Sequence, residues 1–327
     1  MTKLRAAVIG VGYLGSHHVD KFLGQQDVDL IGVVDKREDQ GRHVGVKAGV
    51  DHYTDFHDIL DKVELVSVVV PPEDHYSIAK ACLEAGVHVF VEKPVTKTIE
   101  QADELIRIAD QHRLVLQVGH LERFNPAVRA LEGRLHDPMF IESHRLTSFR
   151  PRSARVDVVL DLMIHDIDII LMLARSEITD IRAIGLAVVS DDVDIVNARL
   201  EFASGCVANV TSSRVSRKPM RKIRVFQPDA YVSIDCLDRN IAVAQRRVTT
   251  EAGPAQSLIA IEQRSFEQSD ALRLEIDAFV DAVKRGTKPL VSGADGKRAL
   301  EVVLEINKTM RKRQRPRASA ELGIGQA

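Results

Sequence analysis

Ala6-Ala7-Val8-Ile9-Gly10-Val11-Gly12-Tyr13-Leu14-Gly15 is an apolar run that passes into three glycines spaced G-x-G-x-x-G. It continues in a helical pattern through His18, Val19 and Phe22. In a strand–turn–helix unit, the first glycine permits the tight turn and the second lets backbone approach a pyrophosphate. The third lets helix pack closely on strand. The helix that starts there aims unpaired N–H groups and its positive dipole end at the phosphates. A second apolar stretch, Val28 to Val34, ends in Asp35, 20 positions after Gly15, where a ribose-binding carboxylate belongs. The pattern predicts a dinucleotide-binding βαβ unit with Gly10, Gly12, Tyr13, Leu14, Gly15 and Asp35 at the cofactor.

Up to about Val118 the chain alternates strand and helix. Strands are predicted at Leu4–Ile9, Val28–Val34, Leu65–Val70, Val87–Val91 and Leu114–Val118, with a shorter β element near Asp51–Tyr53. Helices are predicted at Glu73–Ala85 and Ile99–His112. Short, nearly all-apolar strands between helices indicate a doubly wound parallel sheet covered on both faces. The pattern then changes. Helices are expected at Asn125–Leu135, with Pro126 in the first turn, and at Val158–Leu173. Strands follow at Asn197–Phe202, Cys206–Thr211, Ile223–Phe226, Tyr231–Asp235 and Ile241–Ala244, with turns at Ser204-Gly205 and Pro228-Asp229. Short connections make that sheet antiparallel. Helices at Asp270–Lys284 and Asp295–Lys312 close the chain. The expected class is α/β: a Rossmann domain over 1–119, an α+β domain with a large, mostly antiparallel open sheet over 120–312, and a mobile tail over 313–327. An antiparallel sheet covered by helices on one side leaves its other face open. Outward apolar residues within Asn197–Thr211 would support that face as an interface with another subunit.

The net charge of −2 leaves no basic field for nucleic acid. No apolar run approaches the roughly 20 residues that span a bilayer. The longest candidate, Val156 to Leu173, is broken by four aspartates and a histidine. Lys3 and Arg5 stand directly against the first strand, which excludes a signal peptide. Cys82, Cys206 and Cys236 are far apart and form no C-x-x-C pair, as in a reducing compartment. A cytoplasmic protein is expected.

Asp35 favours NAD, because a carboxylate accepts from both ribose hydroxyls and repels a 2′-phosphate. Lys36-Arg37 keeps NADP open, although a solvated loop explains the pair as well. Val68-Val69-Val70-Pro71-Pro72 leaves a strand at the carboxyl edge where ligands bind. Pro71 and His75 are therefore placed near the cofactor, with helix-end packing the competing role for His75. Val89-Phe90-Val91-Glu92-Lys93-Pro94 brings Glu92 and Lys93 to the same edge, where a lysine can exchange or donate a proton. Arg123 and Asn125 follow the last Rossmann strand and face the inter-domain cleft. Arg123 either holds an anionic group of the substrate or ties the domains together. Asp161, His165 and Asp168 recur at i, i+4 and i+7, one polar line on an apolar helix. A carboxylate beside His165 would set its tautomer and raise its basicity, preparing it to take a hydroxyl proton. Asp168 supports the helix. His165-Asp166 has no second histidine–acid cluster to complete a metal site, and His17-His18 read as a helix face near the phosphates, so no metal is expected.

Gly10-Val11-Gly12-Tyr13-Leu14-Gly15, Glu92-Lys93-Pro94, Arg123-Phe124-Asn125-Pro126, Asp161-Leu162-Met163-Ile164-His165-Asp166-Ile167-Asp168 and Gly286-Thr287-Lys288-Pro289-Leu290-Val291-Ser292-Gly293 stand in the order found in one family. They resemble the motifs of the glucose-fructose oxidoreductase/inositol dehydrogenase/MocA-type (Gfo/Idh/MocA) dehydrogenases, over nearly the whole chain except the tail. The resemblance implies NAD(P)-linked oxidation or reduction of a sugar or polyol hydroxyl. It also implies a Lys93 that meets both cofactor and substrate, a cis Lys93–Pro94 bond, catalysis by Lys93, Asp161 and His165, and a homodimer or homotetramer. Met163 replaces a glycine common in the family and is expected in the pocket wall. Val159 to Asp168 looks most like the subgroup acting on nucleotide-activated N-acetyl sugars, UDP-N-acetylglucosamine 3-dehydrogenases among them. Those make a 3-keto sugar that an aminotransferase carries toward lipid A-type glycolipids. A free polyol or sugar, such as inositol, is the alternative substrate. A catalytically silent NAD-binding regulator is the alternative function.

Overall fold

The computed structural model describes residues 3–149, 157–249 and 256–313. The first sheet contains β1 (Leu4–Ile9), β2 (Val28–Val34), β3 (Asp51–Tyr53), β4 (Leu65–Val68), β5 (His88–Glu92) and β6 (Leu116–Gly119). Its order is β3-β2-β1-β4-β5-β6, and every pairing is parallel. The helices between the strands are α1 (Tyr13–Leu23), α2 (Glu38–Ala48), α3 (Pro72–Glu84) and α4 (Ile99–His112). The winding reverses between β1 and β4. A parallel sheet opens a crevice outside its carboxyl ends at that point.

The sequence pattern gives no sign of α2. Gly41 and Gly45 both lower its helical propensity. Close packing explains why glycine stands there: a Cβ on Gly45 would come within 3.0 Å of the Val50 carbonyl oxygen.

The second sheet has eight strands: β7 (Phe140–Leu146), β8 (Ile178–Leu186), β9 (Ile195–Phe202), β10 (Val207–Ser213), β11 (Met220–Gln227), β12 (Ala230–Asp235), β13 (Asn240–Thr249) and β14 (Gln256–Ser265). The order is β14-β13-β12-β11-β7-β10-β9-β8. Only the β7–β10 pairing is parallel. The strands read from the sequence do not include β7, β8 or β14. β7 alternates buried Ile141, Ser143 and Arg145 with half-buried neighbours, so two of its three inward residues are polar and conceal the apolar period.

The helix expected over Asn125–Leu135 is reduced to α5 (Pro126–Arg129), capped where the Asn125 side chain accepts from the Ala127 N–H at 3.1 Å. Gly133, at φ 75°, follows within the succeeding turns. The helix expected over Val158–Leu173 begins as a π turn, Val159–Met163, and continues as α6 (Ile164–Ala174). Asp157 starts it, accepting from the N–H groups of Val159 and Leu160 at 2.8 and 3.1 Å. Residues 314–327, most of the expected tail, lie outside the described residues.

The two closing helices, α7 (Ala271–Arg285) and α8 (Gly293–Arg313), return to the first sheet. From α7, Ile276, Phe279 and Val280 join Val8, Phe22 and Phe90 in one buried cluster. α8 lies so close to β6 that a Cβ on Gly296 would stand 2.7 Å from the Val118 side chain. A second cluster runs from the other face of the Rossmann sheet through α6 into the second sheet. Packing therefore does not follow the expected boundary at residue 119.

The outward residues of β9 and β10 are mainly polar, with Asn197, Arg199, Glu201, Asn209 and Thr211 among them. The outward apolar residues that would have supported an interface over Asn197–Thr211 are therefore scarce on β9 and β10. The exposed apolar side chains lie instead toward the two ends of the sheet: Ile184 and Leu186 on β8, Ile259 and Ile261 on β14. Phe279 is fully buried, its ring 5.8 Å from that of Phe90. Phe279→Ala is expected to destabilise the protein by about 3–5 kcal/mol in denaturant unfolding, the usual cost of emptying such a site.

Candidate active site

The glycine turn has the geometry its spacing predicts. Gly10 has φ 86°, and a Cβ there would stand 2.5 Å from the Val69 carbonyl oxygen. A Cβ on Gly15 would fall 1.9 Å from the Gly10 carbonyl oxygen. A Cβ on Gly12 would meet nothing within 4 Å, so open space lies over the second glycine. Gly12 caps α1 with no side-chain cap and no acid in the first turn, which leaves the helix N–H groups for an anion. Tyr13 and Leu14 are exposed beside that space.

A cleft of about 640 Å³ extends from this turn, lined by Gly10, Gly12, Asp35, Lys36, Pro71 and Asp74 among others. The Asp35 carboxylate is fixed at both oxygens, accepting from the Val11 N–H at 3.1 Å and the Arg37 N–H at 3.0 Å. Lys36 Nζ is held 2.9 Å from Asp74 Oδ2. The donor set fits a dinucleotide: backbone N–H groups for the diphosphate, and a preset carboxylate for ribose hydroxyls. Lys36 is occupied by Asp74, a partner that sequence reading does not anticipate. His75 is buried between two carbonyls, with Nδ1 2.7 Å from Pro94 O and Nε2 2.9 Å from Val70 O. The neutral ring donates its single N–H to one of these two carbonyls.

Glu92 and Lys93 end β5, and the Lys93–Pro94 bond is cis. Lys93 Nζ donates to the Asp161 carbonyl at 2.9 Å and lies 3.3 Å from Asp161 Oδ1. These two positions, 68 residues apart, meet at the π turn. A π turn breaks the α-helical period on which the expected polar line rests. Asp161 therefore pairs with Lys93 and makes no hydrogen bond to His165. The expectation that Asp161 raises the basicity of His165 is corrected accordingly. Burial, then the positive charges of Lys93, Arg145 and Arg221, hold His165 well below the usual histidine range. Its imidazole is thus neutral and ready to accept a proton. The ring is half-buried, and its Nδ1 has no protein partner.

The remaining candidates are structural. Arg123 Nε and Nη2 lie 2.5 and 2.7 Å from the two Asp168 oxygens, all of it buried. The pair ties the exit of β6 to α6. Asn125 caps α5 and donates to the Cys236 carbonyl at 3.0 Å, which turns its side chain inward. Met163 is completely buried in the core and does not line the cleft. Asp166 is taken by Arg145 at 2.9 Å from both of its oxygens. His17 is exposed against Tyr13, and His18 is buried with Nδ1 2.8 Å from Ser67 Oγ. Among the described residues no cluster could hold a metal ion. Sequence reading misses His120, which is buried directly after β6 with neither ring nitrogen partnered. Its position at a carboxyl edge was the available signal.

The description "Oxidoreductase family, NAD-binding Rossmann fold" matches residues 4–120, and "GFO/IDH/MocA C-terminal domain" matches residues 127–232. The chain belongs to the Gfo/Idh/MocA oxidoreductase family. UDP-N-acetylglucosamine 3-dehydrogenase of Acidithiobacillus ferrooxidans is 36% identical over 94% of this chain and 97% of its own. Its structure superposes with a TM-score of 0.88, covering 95% of this chain and 99% of that one. Myo-inositol 2-dehydrogenase of Thermotoga maritima is 27% identical over 98% of this chain and all of its own. Scyllo-inositol dehydrogenase of Lactobacillus casei, solved with NAD(H) and scyllo-inositol, shares the fold with a TM-score of 0.80 at 20% identity.

Two predictions follow from this geometry. Asp74→Ala frees Lys36 for a 2′-phosphate. NADP affinity relative to NAD is expected to rise about two- to fivefold by fluorescence titration, the size of an exposed ion pair. Burial also lowers His75 and His120 together with His165. A histidine held neutral in the fold protonates first in the unfolded chain, near pH 6.5. Stability should therefore fall as pH drops below about 6.5. Melting curves between neutral and mildly acidic pH test this, and His120→Asn should flatten the slope.

Proposed function

We propose that this oxidoreductase is an NAD-dependent dehydrogenase of a nucleotide-activated sugar, oxidising C3 of UDP-N-acetylglucosamine to the 3-keto sugar. The observation that carries the reading is the approach of Lys93 Nζ to Asp161, at 2.9 and 3.3 Å, on the turn that leads into His165. The full-length similarity to the Acidithiobacillus enzyme supports the substrate. NAD is favoured over NADP by the fixed carboxylate of Asp35 and by the occupation of Lys36.

Bound NAD supplies the hydride acceptor. Gly10, Gly12 and Gly15 shape the turn that receives its diphosphate, and Asp35 holds a ribose. Lys93, fixed by Asp161, donates a hydrogen bond to the substrate hydroxyl oxygen and stabilises negative charge growing there. His165, neutral and half-buried, takes the hydroxyl proton. The C–H electron pair leaves as hydride and the C–O bond becomes a carbonyl. A ketone at C3 is the chemical input an aminotransferase needs, which agrees with a place in amino-sugar synthesis for lipid A-type glycolipids.

Oxidation of a free polyol is the second reading, favoured by the similarity to myo-inositol 2-dehydrogenase along the whole chain. NADH formation with UDP-sugars against inositols and simple sugars decides between them. Turnover with UDP-N-acetylglucosamine alone is expected. Turnover only with inositols overturns the substrate, and none with any compound favours a silent NAD-binding regulator. Lys93→Ala and His165→Ala should each lower kcat by about 10²–10⁴-fold while NAD still binds. Unchanged turnover would remove either residue from the mechanism.

We also infer a cytoplasmic homo-oligomer. All three cysteines are free and buried, and burial pushes the Cys82 thiol up to about 12, which suits a reducing compartment. Among the described residues no helix is long and apolar enough to cross a membrane. Ile184, Leu186, Ile259 and Ile261 give the second sheet exposed apolar surface for a second copy. Light scattering should report a dimer or tetramer.

A further inference from the structure

Beneath the ends of β5 and β6 lies a group of buried polar atoms that the mechanism above does not use. Glu275, on α7, is fully buried and neither carboxylate oxygen has a partner. Gln117, on β6, donates from Nε2 to the Glu275 backbone carbonyl at 3.0 Å, while its own Oε1 is unpartnered. His120 lacks partners at both ring nitrogens. His18 Nε2 is 3.3 Å from Glu92 Oε1 without the alignment of a hydrogen bond. The Glu92 carboxylate itself rests on the backbone of Gly119, where a Cβ would come within 2.8 Å of it. Unpartnered polar atoms are rare in protein interiors, and several in one place call for internal water or mobile protons.

The charges around Glu275 exclude an ordinary carboxylate. α1 offers His18, the turn after β6 offers His120 and Arg123, β5 offers Glu92, and α6 offers Asp168. Arg123 is committed to Asp168, and Glu122 on the same turn is committed to Arg145 and Arg221. No cation is left to pair with Glu275 among the described residues. Burial, then the negative charges of Glu92 and Asp168, raise it well above the usual carboxylate range. An unpaired buried carboxyl group of this kind keeps its proton.

We propose that Glu275 is a protonated acid in the cofactor-free enzyme, gives its proton to solvent when oxidised cofactor binds, and regains one from solvent when reduced cofactor leaves. The proposal rests on the reading that the positive nicotinamide ring lies at the end of β5. Glu92, partly exposed at that end, is the way out to solvent. The steps balance. On binding, the Glu275 O–H breaks and one proton is released. On turnover the substrate O–H and C–H bonds break, hydride reduces the nicotinamide, and His165 takes the proton. His165 then gives that proton to solvent and Glu275 takes one back, so the net output is one ketone, one NADH and one proton. Glu275 touches no reacting atom.

The test compares wild type with Glu275→Gln, both checked for fold by circular dichroism. Infrared spectra of the cofactor-free protein at neutral pH should contain a protonated-carboxyl carbonyl band that Glu275→Gln lacks and that NAD⁺ diminishes. In weakly buffered solution with a pH dye, NAD⁺ binding should release up to about one proton per site, and NAD⁺ affinity should rise with pH by up to about tenfold per unit. Glu275→Gln should bind NAD⁺ with no proton release and a flat pH dependence. Equal proton release from the variant, or a wild type without the carboxyl band, overturns the proposal. Binding is read directly by calorimetry, so a chain that binds no NAD⁺ refutes the cofactor reading instead. If the variant does not fold, the wild-type band and its response to NAD⁺ decide alone.

Discussion

Charge clamps α6 from two sides, and the groups proposed to react depend on that clamp. Arg123, at the exit of the first sheet, grips Asp168, while Arg145, from the middle of the second, grips Asp166 and Glu122. All five side chains are largely removed from water. A buried ion pair adds little net stability over an apolar packing, but losing one partner costs about 3–5 kcal/mol because a bare charge is left behind. What the pairs supply here is placement. His165 directly precedes Asp166, so the rotation and height of its ring are set by guanidinium groups from two separate sheets. Burial, with the charges of Lys93, Arg145 and Arg221 behind it, keeps that ring neutral.

The Rossmann half was legible because its rules are local. Three glycines, an acid after β2 and short apolar strands each have one mechanical meaning, and β1, β2 and α4 fall where the pattern sets them. Failures cluster where tertiary contacts override a local signal. α2 hides behind two glycines that serve packing, and β7 behind inward Ser143 and Arg145, the latter meeting partners on α6 and the turn after β6. The line Asp161–His165–Asp168 takes a different geometry from the one its spacing suggests. A π turn changes the phase: Asp161 meets Lys93 and Asp168 meets Arg123, while Nδ1 of His165 meets no protein group. Glu275 and His120 carry no motif at all. Their meaning comes from what fails to surround them, and spacing along a chain does not record that.

The two halves of the site also differ in rigidity of purpose. The cofactor end is built from backbone: a φ that glycine tolerates, a helix terminus, and a carboxylate held by two N–H groups. The chemical end is built from side chains reaching across 68 residues of sequence. Relatives that act on nucleotide sugars and on inositols can therefore share the first end while differing in what faces the second.

The return of α7 and α8 to the first sheet has a consequence for biosynthesis. The ribosome finishes the glycine turn early, yet Val8, Phe22 and Phe90 gain their cover only when Ile276 and Phe279 emerge. At ordinary elongation rates of about 5–20 residues per second, the intervening chain takes roughly 13–50 s to make. Through that interval the nascent amino-terminal sheet presents a bare greasy flank, which marks it as a substrate for chaperones and ties its maturation to completion of the last helices.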